Sequence, residues 1–111
     1  MDVNELTLGQ VKELRAMFGS ANVPDNSAWE IGKNYLIRTV TMTDTGRLVA
    51  VTEHELVLEN AAWIADSGRF SDAVKKAEFL EVEPFPTGRV IIGRGSVIDA
   101  VIIRDIPRSQ K

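Results

Sequence analysis

The 111-residue sequence predicts a mainly β, α+β domain: a small barrel of five to six antiparallel strands preceded by an N-terminal α-helix. Three observations carry that prediction. Apolar residues recur at helical spacing only near the N-terminus, while beyond residue 34 they fall in short runs rich in β-branched and aromatic residues. Tight turn sequences punctuate those runs. A hydrophobic fraction of 44% beside 26% charged residues is that of an ordinary folded chain with enough core material to need no staples. One domain spans 1–111 in this reading, with a helix over about 5–19, a linker over 20–28, a barrel over about 33–103 and a polar tail over 104–111.

Each element has its own signal. Thr7 and Gln10 have capping-box spacing, Leu8, Val11, Leu14 and Phe18 form one stripe, and Gly19 is a natural stop. That stripe packs on its own domain or on a neighbouring subunit, which makes Leu14 and Phe18 interface candidates. Asn34–Met42 reads as the first strand, Thr43-Asp44-Thr45-Gly46 as a turn, and Arg47–Thr52 and Glu55–Asn60 as two further strands about a turn at Glu53-His54. In the last of these Leu56 and Leu58 share one face, with Glu55, Val57 and Glu59 on the other. Ser71 reads as the N-cap of a short helix near Asp72–Ala77. Phe79–Glu83 is extended, and Pro84-Phe85-Pro86 imposes a stiff bend. Arg89–Ile92 and Val97–Ile103 finish the domain around Gly93-Arg94-Gly95-Ser96. The tail from Arg104 is polar, holds Pro107 and is expected to fray.

Composition narrows the function classes. No cysteine is present, which excludes disulfides, thiolate metal sites and cysteine nucleophiles. A net charge of −3 argues against broad electrostatic binding to nucleic acid or anionic membrane. The opening residues Met1-Asp2-Val3-Asn4-Glu5 have neither a basic nor an apolar region of a secretory signal, and no apolar run approaches a membrane span, so a soluble cytoplasmic protein is expected. His54, the single histidine, stands between Glu53 and Glu55 without a nucleophile or a ligand spacing near it; it reads as solvated rather than as a base or metal ligand, and otherwise as a ligand or nucleic-acid candidate in its turn. No catalytic set, cofactor or metal site is expected.

The remaining candidates are binding residues. Arg94 and Gly95 can cradle a phosphate, glycine admitting close backbone approach and arginine a bidentate fork, or can simply form a hairpin turn. Trp63, with Asp66 and Arg69 nearby, can stack a base or other planar ligand, or can anchor a core or interface. Trp29 is expected to cover one end of the barrel. Val97–Ile103 is apolar on both faces apart from Asp99, so something must cover its outer side. Either a second subunit or the N-terminal helix does so, and Val97, Val101 and Ile103 are the interface candidates.

The order of these elements, with Gly46-Arg47-Leu48, Leu56-Val57-Leu58-Glu59-Asn60-Ala61, Gly88-Arg89-Val90-Ile91-Ile92 and Arg94-Gly95-Ser96-Val97-Ile98, resembles the two motifs of the Sm-like family of SH3-like barrels, which includes LSm proteins and bacterial Hfq. The resemblance spans about residues 34–103. It implies a ring in which edge strands of adjacent subunits pair, and RNA held in the turns. The sequence departs from the family at Thr52-Glu53-His54-Glu55-Leu56, one residue short and without the asparagine that helps hold a base. Gly93 is an added residue, and Trp63–Pro86 is a long insert. Ala61-Ala62-Trp63-Ile64-Ala65-Asp66 and Val82-Glu83-Pro84-Phe85-Pro86 are also similar to stretches of small uncharacterised bacteriophage and prophage proteins. The expected function is therefore a non-catalytic, ring-like homo-oligomeric assembly or interaction module, phage-associated by the second resemblance. The alternative is an RNA- or nucleotide-binding Sm-like ring.

Overall fold

The computed structural model describes residues 27–111. The N-terminal helix expected over 5–19, with Leu14 and Phe18, lies outside the described residues. Six strands and one short helix follow: β1 (Asn34–Thr39), β2 (Thr43–Val51), β3 (Glu55–Asp66), α1 (Phe70–Lys76), β4 (Glu81–Pro84), β5 (Arg89–Gly93), a 3₁₀ turn (Arg94–Ser96) and β6 (Val97–Ile102). All strand pairs are antiparallel. The strands run in the order β4-β3-β2-β1-β6, and β5 pairs with β3 on the edge opposite β2.

The twelve-residue β3 serves two neighbours. Its first half, Glu55–Glu59, pairs with β5, and its second half, from Ala62, pairs with β4. Asn60 between them takes a positive φ of 53°, a conformation asparagine tolerates better than most residues. Across from this corner the β2 register shifts between Thr45 and Arg47. Gly46 sits in that shift, where a Cβ would come within 3.0 Å of the Leu58 side chain and 3.3 Å of the Ala61 backbone. Glycine is thus required by close approach of two bent strands. A row of Arg47, Glu59 and Arg89 across β2, β3 and β5 pins the register with ion pairs, Arg47–Glu59 and Arg89–Glu59.

Alternation divides the sheet into two cores. Tyr35, Ile37, Leu48, Val51, Leu56, Leu58, Ala61 and Ile92 form the first, with Trp29, Val90, Val97 and Ala100 packed against it. Ile92 comes from β5, and Val97 and Ala100 come from β6, so strands at the two ends of the path β5-β3-β2-β1-β6 reach one cluster. The sheet is therefore curled around it. The expected cross-strand face of Leu56 and Leu58 is found, both being fully buried. Trp29 meets the Tyr35 ring at 5.2 Å between centroids, while the Tyr35 hydroxyl accepts from the Glu30 N–H.

The opposite face carries the second core, of Leu36, Ala62, Ile64, Ala73, Phe79, Val82 and Ile103, with Val74, Ala77, Val101 and Ile106 against it. Helix α1 supplies Ala73 and Val74. It begins at Phe70 rather than Asp72; its N-cap is Arg69, without a side-chain cap, and Ser71 lies inside the first turn. Ala77 ends it at φ 55°.

Two more expectations are corrected. Thr43-Asp44-Thr45-Gly46 is not a turn but the start of β2, with Asp44 and Thr45 buried. The reversal comes earlier, over Thr39–Met42, where the Thr39 N–H donates to the Met42 carbonyl at 2.7 Å and the Thr39 hydroxyl accepts from the Met42 N–H. Nor does the tail splay away from the domain. Ile106 packs on the second core, Asn34 donates to the Arg104 carbonyl, and Val82 and Lys111 exchange two backbone hydrogen bonds of 2.9 and 3.0 Å. The last residue thus occupies part of the β4 edge.

Candidate functional site

The candidate residues fall in three places. At one end of the curled sheet, the 3₁₀ turn docks against the β2–β3 turn. The Arg94 N–H donates to the His54 carbonyl at 2.9 Å, and the Arg94 guanidinium donates to the Thr52 carbonyl at 2.7 Å. Arg94 is therefore a staple between two turns, and this contact brings Arg94, Gly95 and His54 together. The His54 ring is 84% exposed, with the Glu53 carboxylate 3.8 Å away. The turn does not need its glycines for conformation. Gly93 has an ordinary extended backbone at φ −68°, and a Cβ on Gly93 or Gly95 would meet no atom within 4 Å.

Arg69 lies elsewhere, at the start of α1, lining a shallow cavity with Gly68, Asp72, Glu78, Leu80 and Lys111. Asp66 is turned to the backbone, accepting from the Gly68 N–H at 2.9 Å. Trp63 and Arg69 line different cavities, so the Trp63–Asp66–Arg69 pocket expected from sequence is not assembled as one site.

Trp63 instead borders a groove with Met42, Glu83, Pro84, Phe85 and Pro86, about 350 Å³ in volume. A second cavity, of about 390 Å³, shares Met42 and Phe85 with it and is also lined by Thr39, Thr41, Asp44, Ser96 and the β5 residues Val90–Gly93. Asp44 is only 4% exposed, and its Oδ1 has no hydrogen-bond partner among the described residues. Burial raises its pKa above the ordinary carboxylate value. The sequence reading missed Asp44 because aspartate beside threonine and glycine is a turn signature. Its one sequence clue is placement two residues before the glycine of a bent strand.

The interface candidates separate by depth. Val97 packs on the first core, Val101 leans on the second, and Ile103 is buried within it. The apolar character of both faces of β6 is thus met in large part inside the chain, by the first core on one side and by α1, Phe79 and the tail on the other. What β6 shows to solvent is Ile98, 65% exposed, and Ile102, 42% exposed. Ile91 on β5 is 63% exposed. Within β6, Asp99 forms an ion pair with Arg38 of β1, and the Arg38 guanidinium lies over the Phe70 ring at 5.5 Å. That hydrogen-bonded pairing holds the Asp99 pKa below its ordinary value.

Among the described residues, no group of three histidine or carboxylate side chains is placed to hold a metal ion, and no helix is long and apolar enough to cross a membrane. No protein-family model matches the chain, and no curated protein matches it.

Proposed function

We propose that this chain is a non-catalytic assembly module that acts as a homo-oligomer, its curled sheet being an Sm-like or SH3-like barrel and its β5 and β6 edges meeting those of adjacent copies in a ring. One observation carries the reading. β5 and β6, joined by a three-residue turn, stand at the two ends of the strand path, and each has a single strand neighbour among the described residues. Both present exposed isoleucines, Ile91 on one and Ile98 and Ile102 on the other. Free strand edges flanked by apolar side chains pair readily with other strands. An antiparallel or parallel match of β5 to the β6 of a second copy satisfies both edges, and repetition around an axis closes the set.

The RNA- or nucleotide-binding reading has less behind it. Arg94 is engaged with the Thr52 carbonyl, while Trp63, Arg69 and His54 stand apart from one another. The association with bacteriophage rests on the two sequence stretches alone. Multi-angle light scattering of the full chain tests the assembly reading. The expected mass is an integral multiple of 12.3 kDa, three or more subunits for a ring. A monomer at micromolar concentrations refutes it.

A further inference from the structure

Directly opposed residues on neighbouring strands share a face of the sheet. Ala100, Ile37, Asp44, Trp63 and Glu83 are successive partners across β6, β1, β2, β3 and β4. The row starts in the first core, passes through a buried carboxylate and an indole that is 42% exposed, and ends on a second carboxylate. Met42, Pro84, Phe85 and Pro86 wall the groove beside Trp63, and the Asp44 cavity opens next to it with Met42 and Phe85 in common. An acid buried with no donor from its own chain leaves an acceptor that solvent or a ligand can satisfy.

We propose that this groove is a binding site for an arginine side chain of a partner polypeptide, the guanidinium donating to Asp44 and lying against Trp63, and the methylene stem lying along Met42, Pro84 and Phe85. Charge selects the class: Asp44 and Glu83 repel anions, and a wholly apolar occupant leaves Asp44 Oδ1 unmatched. Geometry selects within the class. A guanidinium is planar, weakly hydrated and suited both to stacking on an indole and to a forked hydrogen bond with a carboxylate, whereas an ammonium is a compact and strongly hydrated charge. Arginine stems also cover apolar surface while the head stays polar. Ile91 of β5 also lines the Asp44 cavity, so the site borders that edge, while Ile98 and Ile102 of β6 line neither this cavity nor the groove.

The test is a titration of the full ¹⁵N-labelled chain with N-acetyl-arginine amide, followed at the Trp63 indole N–H, which Trp29→Phe assigns. A saturable shift with a Kd on the order of millimolar is expected. N-acetyl-citrulline amide, neutral but nearly isosteric, should leave the resonance in place. Asp44→Asn should weaken arginine binding by about tenfold or more. Trp63→Ser, at an exposed position, should do the same in a calorimetric titration, so the proposal does not depend on one variant folding. Absence of a shift, equal binding of citrulline, or unchanged affinity in both variants overturns it. So does a shift produced by guanosine monophosphate where arginine produces none.

Discussion

At the scale of single residues, the most informative side chain is Asp44. A carboxylate held in the folded state without a donor is stabilised by protonation, so its pKa rises above the unfolded value. The sign of the linkage follows. Below the unfolded pKa, about 3.9, both states are protonated and the burial of Asp44 carries no ionic penalty. As pH rises through the folded pKa the penalty appears in full and persists to neutrality. Asp44→Asn is therefore expected to raise the urea midpoint at pH 7, an advantage that shrinks towards zero as pH falls below the ordinary carboxylate range. Urea midpoints of both proteins between pH 3 and pH 8 give the answer. Comparison of the two is needed because Asp99 acts with the opposite sign. Its hydrogen bond to Arg38 lowers its pKa, so its contribution is present above the unfolded value and is lost as pH falls through the folded one. Glu83, the other carboxylate of the Asp44 row, is exposed and lies beyond Trp63. An unchanged or lower midpoint for Asp44→Asn at neutral pH would show that the carboxylate has a donor after all.

At the scale of elements, local pattern was enough wherever a strand has one buried face and polar neighbours. The first-strand start at Asn34, the Leu56/Leu58 face of β3, the extended segment before Pro84 and the two closing strands were all legible in the sequence. The failures share a cause. Thr43-Asp44-Thr45-Gly46 has turn composition, but burial against Leu36, Ala62 and Leu58 holds it in the sheet, and tertiary packing overrides local preference. Likewise the tail is polar in composition, yet Ile106 and two backbone bonds to Val82 dock it. Among the site candidates, Trp63 was legible as a stacking or anchoring aromatic, but its 42% exposure was not. Asp44 was hidden by its turn-like neighbours, and Arg94 carried no sequence sign of its contact with the Thr52 carbonyl. The bend of β2 across β3 gives a direct check. Gly46→Ala drives a methyl to 3.0 Å from Leu58 beside the Ala61 backbone, and overpacking of this kind is worth roughly 1–3 kcal/mol of lost stability. Gly95→Ala, in open space at the 3₁₀ turn, should stay within about 0.5 kcal/mol of the parent in the same denaturant melts. Equal effects at the two glycines would place the close approach elsewhere.

At the scale of the whole molecule, the two cores decide which apolar residues are left for a neighbour. A strand apolar on both faces reads, in sequence, as one face too many for a small domain. In the structure α1, Phe79 and the tail claim Val101 and Ile103, and the first core claims Val97. The surplus that remains is Ile98 and Ile102 on β6 with Ile91 on β5, on the strands that end the curled path. Folding and assembly therefore draw on different side chains of the same strand, which makes them separable. Val101→Glu places a charge on a partly buried side chain that packs on the second core opposite Leu36, and is expected to lower the melting temperature by more than Ile98→Glu does, because taking a carboxylate partly out of water without a partner is costly. Ile98→Glu places the same charge on a side chain already 65% exposed, so the monomer should keep its melting temperature within a few degrees. Its scattering mass, however, should fall to that of a single 12.3 kDa chain, because a like charge repeated at every contact of a closed ring opposes all of them at once. A folded Ile98→Glu protein that retains the parent's oligomeric mass would move the contact away from β6. The free edge of β5 and Ile91 would then be the next place to introduce the charge.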